Sequence, residues 1–245
     1  MMYFTSGTRL SMEDALEYPF RELFDDIVSM NNYIVSKWNS IVRPNDSVYH
    51  LGDFGQPFSL VKWLHGRIAL LPNHSDELEY VLKGTGLTKE TYDQLWPKYA
   101  GIRAQSTDDY VCIPRQAYHL VENGFQGLLL SYTNSHRLCE FIYTDEIQTV
   151  DALREFLGKY PSLSARDLWI DMSYEPIKED DGENPQPNRL NLYGHHTPRQ
   201  DFGDGRKYSL DVSVDANGFK PLTISDILSK WSQLIDTYNP ELKGD

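Results

Sequence analysis

Five times in this chain a short apolar run stops abruptly on small or polar residues, and that pattern restricts the fold more than any other feature. MYF runs into Thr5-Ser6-Gly7, VYHL into Gly52-Asp53, IALL into Pro72-Asn73-His74, GLLL into Ser131-Tyr132, and LNLY into Gly194-His195-His196. Runs of this length, apolar rather than alternating, fit strands buried on both faces of a helix-covered sheet. The carboxyl ends of such strands are where α/β folds gather ligands. The expected class is therefore α/β, with Asp53, Asn73, His74 and His195 carried toward one edge. Carboxylate, amide and imidazole donors in combination suit divalent ions such as Mn, Fe and Zn.

Two helices are expected. Phe20, Leu23, Phe24, Ile27, Met30, Ile34, Trp38 and Ile41 recur three and four apart, predicting one amphipathic helix over Phe20–Ile41, ended by Pro44 and Asn45. Ile224, Ile227, Leu228, Trp231, Leu234 and Ile235 predict a closing helix over Thr223–Tyr238, with Thr223, Ser225 or Asp226 as cap. Tyr208 to Asp215 alternates and reads as a half-exposed antiparallel strand. Glu175 to Asn188, rich in acids, Pro and Asn, reads as a solvated loop. The chain is expected to form one domain over 1–245, interrupted by insertions at about 78–125 and 136–189.

Composition narrows the partners. A net charge of −13 argues against a general nucleic-acid-binding surface, which needs a basic face. It suits solubility, or an acidic surface aimed at a basic protein partner. No apolar run is long enough to span a bilayer, and no signal-peptide core is seen at the N-terminus. Cys112 and Cys139 both sit in apolar text and are expected as buried thiols, so a cytoplasmic setting is expected. Tyr49, His50, Trp63 and His65 lie beside the strand-end motifs but read as packing residues, and His119 and His136 as residues of the insertions.

The segments YFTSGT, RPNDSVYHLGDFG, LHGRIALLPNH, LLLSYTN, LYGHH and DVSVDANGFKPLTISDI together resemble the calcineurin-like metallophosphoesterases, closest to the small phage and bacterial members. The resemblance implies a two-layer β-sandwich flanked by helices, and an edge where two metal ions activate a hydroxide for attack on phosphorus. It also implies a ligand set of Asp-x-His, Gly-Asp, Asn-His, a lone His and Gly-His-x-His. This chain departs from that set. The first pair reads Gly7-Thr8-Arg9, the lone His reads Ser131, and the last His reads Thr197, with His196 between. Asp53, Asn73 and His195 remain as a weak mononuclear metal site, and His74 keeps the position of the catalytic histidine.

Arg9 places a permanent cation where the family has a metal ligand, and it is expected to pair with Asp53. The leading expectation is a catalytically inactive metallophosphoesterase-like protein that binds a macromolecular partner, in host cytoplasm if a phage encodes it. Two alternatives stand beside it. One is a residual phosphoesterase using a single divalent ion. The other is a nucleotide or phosphate binder that does not hydrolyse, with Arg9, His74 and His195 as anion donors beside Ser131 and Thr197.

Overall fold

The computed structural model describes residues 1–71, 127–128, 133–142, 146–174, 176, 186–194 and 207–244. These form a mixed α/β arrangement of two sheets and three α-helices. The first sheet holds β1 (Met2–Thr5), β2 (Ser47–His50), β3 (Arg67–Leu70), β4 (Gly127–Leu128) and β9 (Leu222–Thr223), in the order β4-β3-β2-β1-β9. The second holds β5 (Thr133–Arg137), β6 (Trp169–Ser173), β7 (Arg189–Tyr193) and β8 (Ser209–Asp211), in chain order. Strands β1 to β4 are mutually parallel, so the four apolar runs they carry end on one edge. β7 carries the fifth run in the other sheet, and its end meets that edge. The Ser6 hydroxyl donates to Gly194 O at 2.7 Å, and a Cβ added to Gly194 would stand 2.1 Å from Leu51 O.

Alternation along the first sheet decides which side chain enters which core. Met2, Phe4, Tyr49, Leu51, Ala69 and Leu71 join Ile170, Met172, Leu190 and Leu192 of the second sheet in one buried cluster. Tyr3, Val48, Ile68 and Leu70 point the other way, toward Met30, Ile34 and Trp38 of helix α1 (Ile27–Ile41). Helices α2 (Ile147–Lys159) and α3 (Ile224–Tyr238) add Phe156, Trp231 and Ile235 to the first cluster. They are joined by Lys159 and Tyr160, which bond Asp236 at 2.5 and 2.9 Å. The opposite face of β6 and β7 carries the buried polar residues Asp171, Ser173 and Asn191, beside Trp169 and Tyr193.

Several expectations need correcting. The first helix begins at Ile27, not Phe20, because Asp26 and Ser29 form a capping box that starts it there. Phe20 and Leu23 are consequently exposed. The strand expected over Tyr208–Asp215 is only Ser209–Asp211 and is parallel to β7. Beyond it the Asn217 amide bonds Asp211 O and Ser213 O, turning the chain so that Val212 and Val214 are both buried. The 136–189 segment carries β6, α2 and part of β5, whose apolar residues join the first cluster. Cys139 is exposed, because in its short turn Leu138 and Phe141 take the buried positions. The 78–125 insertion, Cys112 and His119 lie outside the described residues.

Helix α3 keeps its expected bounds within one residue. Thr223 Oγ1 accepts from Asp226 N at 3.1 Å while Asp226 Oδ2 accepts from Thr223 N at 2.9 Å, completing the capping box. Thr223→Ala should lower the unfolding free energy by about 1 kcal/mol in urea titration; an unchanged midpoint would deny the cap that role.

Candidate functional site

The loops after β1 and β2 are sewn together beyond the ends of the strands. Gly7 N donates to Gly52 O, Arg9 N to Asp53 O and Leu10 N to Phe54 O, at 2.9–3.0 Å. Gln56 N returns a bond to Leu10 O at 3.0 Å. The approach at Gly55 is so close that a Cβ there would lie 2.3 Å from Leu10 N and O. Within this ladder Arg9 and Asp53 both take left-handed backbone, with φ of 45° and 55°. Non-glycine residues hold that conformation only where their surroundings impose it, most often at ligand sites and turns.

Those two residues form an ion pair between Arg9 Nη2 and Asp53 Oδ2. Both are nearly buried, at 8% and 7% exposure. The Tyr174 hydroxyl donates to the other carboxylate oxygen, Asp53 Oδ1, at 3.1 Å. The Tyr18 ring lies 4.5 Å from the Arg9 guanidinium carbon, a cation–π distance. Burial works against the Arg9 charge, but Asp53, Tyr18, Tyr174 and Asp14 more than offset it and raise its pKa above that of a free guanidinium. Burial raises the Tyr18 pKa against the opposing pull of Arg9, so its phenol stays neutral.

A second buried arginine fixes the first loop from beneath. Arg21 is fully buried and grips Asp215 through two bonds, Nε to Oδ1 at 2.8 Å and Nη2 to Oδ2 at 3.0 Å. Its remaining donors reach Gly7 O, Thr8 O and the Met30 sulfur. A buried guanidinium is tolerated when its donors are satisfied in this way.

His50, at the end of β2, fixes the loop from the side. Thr8 has one hydroxyl proton and gives it to Phe54 O at 2.7 Å, so the 3.0 Å contact between Thr8 Oγ1 and His50 Nε2 requires Nε2 to donate. Among the described residues His50 Nδ1 is then an acceptor with no hydrogen-bond partner. Burial among Trp38 and Phe54 lowers the imidazole pKa to about 3.

Of the residues singled out from the sequence, Gly7, Arg9 and Asp53 meet at this edge, and the expected Arg9–Asp53 pair is present. Asn73, His74, Ser131, His195, His196 and Thr197 lie outside the described residues. Among the described residues no group of three or more His, Cys, Asp or Glu side chains could hold a metal ion. Tyr49 and His50 are buried and Trp63 is half exposed, within the core or surface packing expected of them. His136 is buried, with Nδ1 3.2 Å from Glu140. Sequence reasoning missed Tyr18, Arg21, Tyr174 and Asp215. Arg21 stood inside the expected helix, and Tyr174 at the rim of an expected insertion. The one available signal was Asp215, a carboxylate closing the apolar alternation YSLDVSVD.

No protein-family model matches the chain, and no curated protein matches it. A solved structure, a protein of unknown function from Aquifex aeolicus, is similar with a TM-score of 0.49 and 17% identity. The match covers 91% of this chain and 94% of that one. No described helix is long and apolar enough to cross a membrane.

Two outcomes follow from this geometry. Asp215→Asn keeps the shape but leaves Arg21 without a counter-charge, and should cost about 3–5 kcal/mol in denaturant titration; a loss under about 1 kcal/mol would refute the clasp. His50 remains neutral in the fold down to about pH 3, while in the unfolded chain it takes up a proton below about 6.5. Stability contributed by neutral His50 is therefore complete above pH 6.5 and is lost as pH falls toward 3. The urea midpoint should drop between pH 7 and pH 5, and less steeply in His50→Asn; equal slopes would contradict the assignment.

Proposed function

We propose that this protein is a non-catalytic scaffold of calcineurin-like metallophosphoesterase type that acts by binding another macromolecule. The observation that supports this reading is the Arg9–Asp53 pair. Asp53 is the one described residue that matches a metal-ligand position of the resembled family, and its carboxylate is occupied on both oxygens, by Arg9 and by Tyr174. A divalent ion bound there would have to displace a guanidinium held by Tyr18 and by the paired loops. The described residues therefore do not fit the first ion of a two-metal clamp, and no catalytic step is assigned through it. Asn73 and His195 remain the residues that would complete a weak single-ion site with Asp53, and His74 the acid of a residual phosphoesterase.

One observation favours a second reading. Arg9 makes a single side-chain hydrogen bond among the described residues, leaving Nε and Nη1 available to an added anion. That supports binding of a phosphate or nucleotide without hydrolysis, with His74, His195, Ser131 and Thr197 as the other candidate donors.

Elemental analysis of the purified chain and a manganese-dependent assay on bis(para-nitrophenyl) phosphate separate these readings. The scaffold reading expects no stoichiometric transition metal and no hydrolysis above buffer. Two tightly held ions per chain, or turnover that disappears in Asp53→Ala, would overturn it in favour of an enzyme. A thermal shift with phosphate or nucleotides that is lost in Arg9→Ala would establish the anion-binding alternative.

A further inference from the structure

The face of the first sheet that packs on α1 carries two polar side chains in an otherwise apolar wall. Side chains along a strand alternate between faces. Tyr3 and Val48 enter the cluster around α1, so Thr5 and His50, each two residues on, stand on that same face. β1 and β2 are parallel and in register there, with Thr5 the Cα partner of His50 and Leu70 the partner of His50 on its other side. Both Thr5 and His50 are fully buried.

Each keeps one polar atom without a hydrogen-bond partner among the described residues, Thr5 Oγ1 and His50 Nδ1. A hydroxyl or imidazole nitrogen left this way in an apolar interior has given up its bonds to water with nothing in return. The two fall on paired positions of neighbouring strands, so one shared partner would satisfy both. Nearby donors are already committed. Trp38, stacked on the imidazole at 6.4 Å between centroids, gives its indole N–H to His65 O at 2.8 Å. Thr8 gives its hydroxyl to Phe54 O, and the Phe54 ring meets the imidazole edge-on at 5.2 Å.

The chemistry of the two atoms defines that partner. Nδ1 can only accept, because Nε2 carries the ring proton that reaches Thr8 Oγ1. Thr5 Oγ1 can donate or accept. A metal ion needs more donors than these, and among the described residues no third His, Cys, Asp or Glu joins them. A small neutral molecule that donates and accepts fits. Neighbouring strands lie about 4.8 Å apart, a spacing that one water bridges with two bonds of about 2.8 Å.

We propose that Thr5 and His50 hold one internal water molecule between β1, β2 and α1, with the water donating to His50 Nδ1 and bonded to Thr5 Oγ1. Such a water also selects the orientation of the ring. Turned over, the imidazole would present carbon both to the water and to Thr8, so the water keeps Nε2–H on Thr8, the neighbour of Arg9 in the site loop. This holds whether or not the chain binds a macromolecule.

A crystal structure of the full chain tests it directly. A solvent peak is expected within about 3.2 Å of both Thr5 Oγ1 and His50 Nδ1; density without such a peak overturns the proposal. Thr5→Val, which exchanges the hydroxyl for a methyl group of similar shape, supplies a sign. With the water in place, the variant leaves both the water and Nδ1 short of a partner, and the urea midpoint falls. Without it, the variant only removes an unsatisfied buried hydroxyl, and a midpoint that rises or stays put overturns the proposal. A lowered midpoint with no peak in the unmodified chain overturns it too, since Thr5 would then bond His50 directly. Thr5→Ser, which keeps the hydroxyl, should keep the peak. Should Thr5→Val fail to fold, the peak in the unmodified chain decides.

Discussion

The buried pair of Arg21 and Asp215 is the interaction on which the rest of this edge depends. Arg21 comes from the segment before α1, Asp215 from the segment after β8, and the carbonyls of Gly7 and Thr8 from the loop after β1. Two neighbouring stretches and a third 194 positions away are joined at one guanidinium. A charge this deeply buried is unfavourable unless every donor is used, so the arrangement tolerates little drift. With Gly7 and Thr8 fixed, the backbone of Arg9 is placed against Asp53, and Thr8 against His50. The left-handed conformations of Arg9 and Asp53 persist because both sides of the ladder are held.

What the sequence showed and what it hid follow from the range of the forces involved. The parallel strands were readable because a strand buried on both faces must be apolar throughout, and VYHL and IALL have no other good use. Helix α3 was readable because its stripe and its cap are both local. The start of α1 was misplaced because Phe20, Leu23 and Phe24 continue the helical spacing, while the decision is made by Asp26 with Ser29. Propensity and periodicity cannot register a segment whose anchor is a buried arginine bonded to a residue 194 positions away.

The site divides in the same manner. The Arg9–Asp53 pair could be anticipated because each replaces or retains a recognisable position in a resembled pattern. Tyr174 and Tyr18 could not, since one arrives from the other sheet and the other from the segment before α1. Both matter electrostatically. Tyr174 satisfies the second carboxylate oxygen, and Tyr18 gives the guanidinium an aromatic face in place of water. Among the described residues the result is a nearly buried pair of opposite charges.

Tyr18 belongs to two structures at once. Its ring covers the Arg9 guanidinium, while its backbone supplies two links of the segment before α1, accepting from Arg21 and donating to Ala15. Anything that draws Arg9 away from that ring therefore disturbs the turn carrying Phe20 two residues on. One tyrosine thus ties the position of the Arg9 guanidinium to the turn that delivers Arg21 to Asp215.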